Sequence, residues 1–226
     1  MEHLPTSLYI LFALTALLTL ILFFRAAGFS KGLISIFSLW LMIQSILSIS
    51  AFYQVTYVMP PRFMLLILPP ILLIVITFLT KNGKNFIAGL DIGKLTILHI
   101  IRIPVELTLY WLFLHEAVPE VMTFEGRNFD ILCGITAPLI YYFGYVKNVL
   151  NKKVLLAWNI ICLLLLANIV STAVLSAPFP TQQIAFSRPN IALLYFPFTL
   201  LPGLIVPIVL FSHLVSIRKL IFSPKS

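Results

Sequence analysis

Apolar residues in this chain come in runs too long for a soluble core. A helix that crosses a bilayer needs about 20 mostly apolar residues. Runs of that kind recur at about 8–24, 32–53, 63–80, 95–114, 131–146, 154–175 and 191–214. Asp, Glu, Lys and Arg together make up only 10% of the residues, against 61% hydrophobic. A soluble domain carries roughly 25% charged residues, so there are too few polar side chains here to cover a water-facing globule. A soluble enzyme and a disordered chain are excluded on the same ground. The expected fold is all-α: one integral membrane domain over residues 1–226, a polytopic bundle of seven transmembrane helices. Residues 1–7 lack the positive segment of a cleaved signal peptide, so the first span is expected to stay in place.

The charges predict an orientation. The connections after the first, third, fifth and seventh runs, with the C-terminal tail, hold Arg25, Lys31, Lys81, Lys84, Lys94, Lys147, Lys152, Lys153, Arg218, Lys219 and Lys225. The other side holds Arg62, Arg127 and Arg188. Eleven against three, alternating in register, is a positive-inside pattern. It predicts an external N-terminus and a cytoplasmic C-terminus, in a multi-pass protein of the plasma (inner) membrane. Glu2, Glu116, Glu120, Glu125 and Asp130 fall on the external side, and Asp91 alone on the internal one. The net charge of +8 therefore reports topology and not nucleic-acid binding, since the cations stand singly between apolar runs. The partners expected are the bilayer, a small polar solute or ion, and a second copy of the chain in a homo-oligomer.

The fourth run carries the most informative group, His99, Arg102, Pro104 and Glu106 in LHIIRIPVELTLYW. A charged side chain at the centre of a span costs about 2.5–3.5 kcal/mol on insertion scales, so Arg102 and Glu106 must face protein. Four residues apart, they share one helical face and are expected to lie within reach of each other or of a shared partner. Pro104 removes a helical hydrogen bond to Ile100 and should kink the helix there. This predicts a polar site inside the bundle. A purely structural Arg–Glu pair is the competing reading.

Prolines interrupt the third and seventh runs, at Pro69-Pro70 and at Pro197, Pro202 and Pro207. Inside a bilayer the carbonyls they free must find other protein groups or a water-lined cavity, and interrupted segments in two halves point to a transporter's binding site. At an offset of 128, Pro61 falls on Pro189 and Pro69 on Pro197. The match suggests a 3+1+3 repeat, with coincidence between proline-tolerant spans as the competing reading. In layout alone this resembles the SWEET sugar transporters and, in topology, the rhodopsins; no family motif is present, and the seventh run has no lysine before Lys219 to hold retinal.

The loop HEAVPEVMTFEGRNFD could fold inward as an external mouth, with Arg127 paired to Glu125, Asp130 or Glu120; the competing reading is a solvated interfacial loop. In the sixth run Asn168, Ser171 and Thr172 share a face, while Asn159 points to the opposite side. The substrate-binding residues expected are thus Arg102, Glu106, Asn168, Glu125, Arg127 and Asp130. No catalytic residue, metal site or cofactor is expected. One alternative is a haem held by His99 and His213, which lie at similar depth. Cys133 and Cys162 lie at different depths, which argues against a disulfide. The activity expected is that of a small-solute transporter or channel-like protein. An intramembrane enzyme on a lipophilic substrate, and a membrane sensor or assembly subunit, are the alternatives.

Overall fold

The computed structural model describes residues 4–222, so Glu2, Lys225 and the C-terminal Ser226 lie outside the described residues. Within them every regular element is helical: α1 (Thr6–Ala27), α2 (Lys31–Ile49), α3 (Met64–Leu79), α4 (Lys81–Gly89), α5 (Ile92–Leu98), α6 (Arg102–Leu114), α7 (Ile131–Tyr141), α8 (Lys152–Leu175) and α9 (Val206–Phe222). The starts are chemically marked. Ser30, Thr80, Asp91 and Asn151 each accept from a backbone N–H in the first turn of the helix they precede, satisfying donors that a helix start leaves open.

Five helical segments are long and apolar enough to cross a membrane: Thr6–Ala27, Lys31–Ile49, Ile92–Leu114, Lys152–Leu175 and Leu201–Phe222. A sixth is reached if α3 and α4, bent by 91° at their junction, count together. Ile131–Val146 is a shorter apolar helix. The chain is therefore a helical protein with five or six segments suited to a membrane, where the sequence suggested seven. Two differences from the expected spans have local causes. The last helix starts about ten residues later than expected, because turns around Phe196 and Pro197 occupy the segment before Leu200. The connection after the third run is also not a loop but α4, a helix whose start Thr80 caps.

The proline match does not extend to structure. Pro69 stands inside α3, whereas Pro197 precedes the last helix. The two halves thus use their matched prolines in different local structures, and the 3+1+3 repeat has no support from them.

Half of the Ile92–Leu114 window and 61% of the Leu201–Phe222 window are buried inside the protein, against 11% for Lys31–Ile49. These two segments form the centre of the bundle, and α2 and α3 lie at its edge with Leu39, Met42, Ile46, Leu65, Leu72 and Ile76 turned outward. A row of outward-facing aliphatic side chains is what a lipid-facing helix needs. The core runs through Leu8, Phe12, Leu98, Leu109, Phe198 and Val215.

The freed carbonyls are accounted for where the prolines matter most. Pro207 has no N–H to offer the carbonyl of Gly203, and the Trp40 indole N–H donates to that oxygen instead, at 2.8 Å. Before Pro104 the helix tightens into a 3-10 turn over His99–Ile101, and α6 resumes at Arg102.

Candidate functional site

The polar side chains at mid-bundle form one connected group. Arg102 is 2% exposed and is the largest fully buried side chain. Its Nη1 donates to Asp130 Oδ1 at 2.7 Å and to the Cys162 carbonyl at 3.3 Å. Its Nη2 meets His213 Nε2 at 3.0 Å. His213 Nδ1 lies 2.9 Å from Asn159 Oδ1, and Asn159 Nδ2 donates to the Leu155 carbonyl, which sets the direction of that amide. His213 therefore donates from Nδ1 and accepts from Arg102 at Nε2, as a neutral imidazole does. Its ring stacks on His99 at 3.8 Å, with 12° between the planes, and Trp158 stands edge-on to His99 at 5.6 Å.

Glu106 occupies the neighbouring part of the cluster. It is 1% exposed, and both carboxyl oxygens accept from Asn128 Nδ2, at 2.7 and 2.6 Å. The Asp130 backbone N–H donates to Asn128 Oδ1, which fixes the amide with its nitrogen towards Glu106. The order is thus Glu106, Asn128, Asp130, Arg102, His213, Asn159, contributed by α6, the loop before α7, α8 and α9.

Local features let these elements meet. At Gly134 in α7 a side chain would come within 2.8 Å of Ile103 Cγ1 and 3.0 Å of the Ile103 backbone nitrogen. Only a glycine admits so close an approach, and it brings the start of α7, with Asp130, against the turn carrying Arg102. Asp130 also stands where the α7 N-terminus favours negative charge.

Arg102, Glu106 and Asp130 are brought together, but not in the expected pairing. Arg102 and Glu106 do not bond to each other: Arg102 takes Asp130, and Glu106 takes Asn128. Residues four apart share a face, yet the long Arg102 side chain and the short Asp130 meet across the α6–α7 contact. Asn168 is exposed on the other side of α8 and donates to the Arg127 carbonyl at 2.8 Å. Asn159 takes the interior place, in the buried stripe Leu155, Asn159, Cys162, Leu166 and Ile169. The loop divides as well. Asn128 and Asp130 fold inward, while Glu125 and Arg127 are exposed, Glu125 accepting from the Tyr110 hydroxyl at 3.0 Å. Among the described residues Arg127 enters no ion pair; those present are Lys94–Asp91, Arg102–Asp130 and Arg188–Glu116.

The two histidines of the haem alternative are not set as an axial pair in this arrangement. Axial ligands approach one iron from opposite sides of the macrocycle, whereas these imidazoles lie face to face and His213 has both nitrogens engaged. Among the described residues no three His, Cys, Asp or Glu side chains are arranged to hold a metal ion. Cys133 and Cys162 are free and buried, and the fold brings the thiols together beside Arg102 despite their separate positions along the spans.

Sequence reading missed Asn128 and Asn159 as members of the group. The signal for Asn159 was present: it shares helical spacing with the small Cys162 three residues on. For Asn128 the only local signal was its place two residues before Asp130, where an Asn side chain commonly accepts from the backbone.

Several buried polar atoms have no hydrogen-bond partner among the described residues: both ring nitrogens of His99, Nε of Arg102 and the hydroxyl of Ser216, three residues beyond His213. His99 is 0% exposed. Comparison with known proteins returns no matching family model, no similar curated protein and no similar solved structure.

Proposed function

We propose that the chain is a transport protein of the plasma (inner) membrane that carries a small cation or a proton through the cluster around Arg102 and Glu106. In this reading it has seven spans, an external N-terminus and a cytoplasmic C-terminus. The five long apolar segments support it, with α3–α4 and Ile131–Val146 completing the number. At about 1.5 Å per residue the 16 residues of α3 rise about 24 Å, so both shorter spans require a thinned bilayer or help from their flanks.

Glu106 is the observation that carries this reading. It is a mid-span carboxyl whose hydrogen-bond donor is a neutral amide, with no cation at ion-pair distance among the described residues. An ionised carboxylate so placed has no direct counter-ion, and intramembrane acids of this kind belong to ion pathways and proton relays. Arg102 makes no ion pair with it, being committed to Asp130, the Cys162 carbonyl and His213. With two carboxyls against one guanidinium, the cluster suits a positive guest and not an anion. His99 lies seven residues before Glu106, about 10 Å along the helix, and its open nitrogens extend the path towards the basic end of the bundle.

The test is flux. The purified full chain in liposomes, with a pH-sensitive or a sodium-sensitive dye inside, should dissipate an imposed proton or sodium gradient. Glu106→Gln, which keeps the shape and removes the titrating oxygen, should abolish that flux while the protein keeps its melting temperature. If the intact chain moves neither ion, or Glu106→Gln moves it as fast, the assignment fails.

A further inference from the structure

Apart from the polar cluster, a cavity of about 320 Å3 opens at the edge of the bundle, at the small end of the range for ligand sites. Phe23, Phe37, Trp40, Pro70, Phe86 and Phe211 form much of its wall. The rings brace one another: Phe23 meets Phe37 at 5.5 Å and Phe211 at 6.1 Å, and Phe86 stacks on Phe211 at 6.3 Å. The polar side-chain groups of the wall are already engaged. The Trp40 indole donates to the Gly203 carbonyl, and the Thr77 hydroxyl donates to the Leu73 carbonyl. Among the described residues no polar side-chain group of the wall is left to hold a polar solute, which suits an apolar occupant there. Along α2 the wall runs from Leu33 to Trp40, about 10 Å into the bundle.

Cations stand at one end of the helices that line this cavity. Arg25 closes α1, Lys31 opens α2, and Lys81 and Lys84 stand on α4, all four exposed. The Arg218 guanidinium lies 5.8 Å above the Phe78 ring. Their elements converge there, since Phe211 of α9 touches Phe23, Phe78 and Phe86 of α1, α3 and α4. None of the five has an acidic partner among the described residues, and Asp91, the acid at this end, is held by Lys94 at 3.4 Å. The opposite end instead exposes Glu116, Glu120 and Glu125. The right-angle turn from α3 into α4 brings Lys81 and Lys84 to this end of the bundle, with Phe86 of α4 in the cavity wall.

We propose that this cavity is a binding site for an anionic phospholipid of the surrounding bilayer, its acyl chain between α2, α3 and α9 and its phosphate among Lys31, Lys81, Lys84 and Arg218. A zwitterionic lipid would fill the apolar part equally well and leave the cations uncompensated. A water-soluble anion would meet the cations and gain nothing from the cavity. Each Lys or Arg near an anionic lipid surface contributes a factor of about five to binding, so the rim carries the selectivity and the cavity the seat. The site is independent of ion movement through the cluster.

The full chain is reconstituted in phosphatidylcholine vesicles containing a minor fraction of phosphatidylglycerol, extracted in mild detergent, and its retained lipid weighed by mass spectrometry. Phosphatidylglycerol should be enriched about fivefold or more over its share of the vesicles. Lys31→Gln/Lys81→Gln/Lys84→Gln/Arg218→Gln should bring the retained ratio back to that of the vesicles. Ile36→Trp fills the cavity from a position 58% exposed, and Leu73→Trp fills it from α3 at 53%. Each should lower retention with the charges intact, so one folding defect cannot decide the outcome. Retention by the intact chain in the vesicle ratio overturns the proposal. So does enrichment that survives the rim variant, or that survives both tryptophans.

Discussion

At the scale of single residues, the buried guanidinium of Arg102 decides most of the energetics. Removing one member of a buried, hydrogen-bonded ion pair costs about 3–5 kcal/mol, because the other charge is left stranded. Arg102→Ala and Asp130→Ala should each destabilise the protein by that amount in detergent unfolding, and together by less than the sum. The Arg102/Glu106 cycle should show weaker coupling than the Arg102/Asp130 cycle, because Glu106 is bonded to Asn128. Equal coupling in the two cycles would contradict the observed pairing. Tyr53 provides a pH test outside the spans. Its buried phenol, bonded to Gln44, is pushed up to about 12, with desolvation the largest cause. An unfolded phenol ionises near pH 10. Below that value Tyr53 adds no pH dependence. Between about 10 and 12 the unfolded chain releases a proton that the folded chain retains, and stability falls as pH rises. In Tyr53→Phe that part of the decline should be missing from a melting-temperature series over the same window.

Among elements, helices meet where a backbone feature allows it, and two substitutions probe this. Trp40→Phe removes the donor to the Gly203 carbonyl that Pro207 leaves open and should cost about 1–3 kcal/mol. Adding Pro207→Ala restores a helical N–H to the same carbonyl, so the double variant should recover part of the loss in melting temperature. A further fall would mean that the indole bond is incidental. Gly134→Val sets a branched side chain against the Ile103 backbone. Overpacking of this kind costs about 1–3 kcal/mol. By moving α7 off α6 it should also part Asp130 from Arg102, and so lose ion flux as well as stability.

For the whole molecule, the charge distribution predicts how the bundle sits. Of the described cations at the basic end, Lys219 is tied to the Ala88 and Leu90 carbonyls, pinning the end of α9 to α4. A reporter active only outside the membrane, fused after the C-terminus, should give no signal, and a bright signal would reverse the orientation and with it the direction of the proposed path.

The sequence by itself determined that the chain is helical and that most of its long helices are apolar, because the length and period of an apolar run are local properties. It also required Arg102 and Glu106 to be buried against protein, since the insertion cost of a charge does not depend on which partner relieves it. Only the tertiary structure decided the partners. Glu106, four residues on, was the nearest acid to Arg102 along the helix, but Asp130 takes the guanidinium from 28 positions away, and His213 joins from 111 away. Asn159 is inside and Asn168 outside because the rotation of α8 is set by what packs against it, and helical spacing fixes relative faces only. The right-angle start of α4, the meeting of Cys133 with Cys162 and the apolar cavity near the basic end likewise depend on how separate helices cross. Crossing is determined by the fit of side chains from distant parts of the chain, which no single run contains.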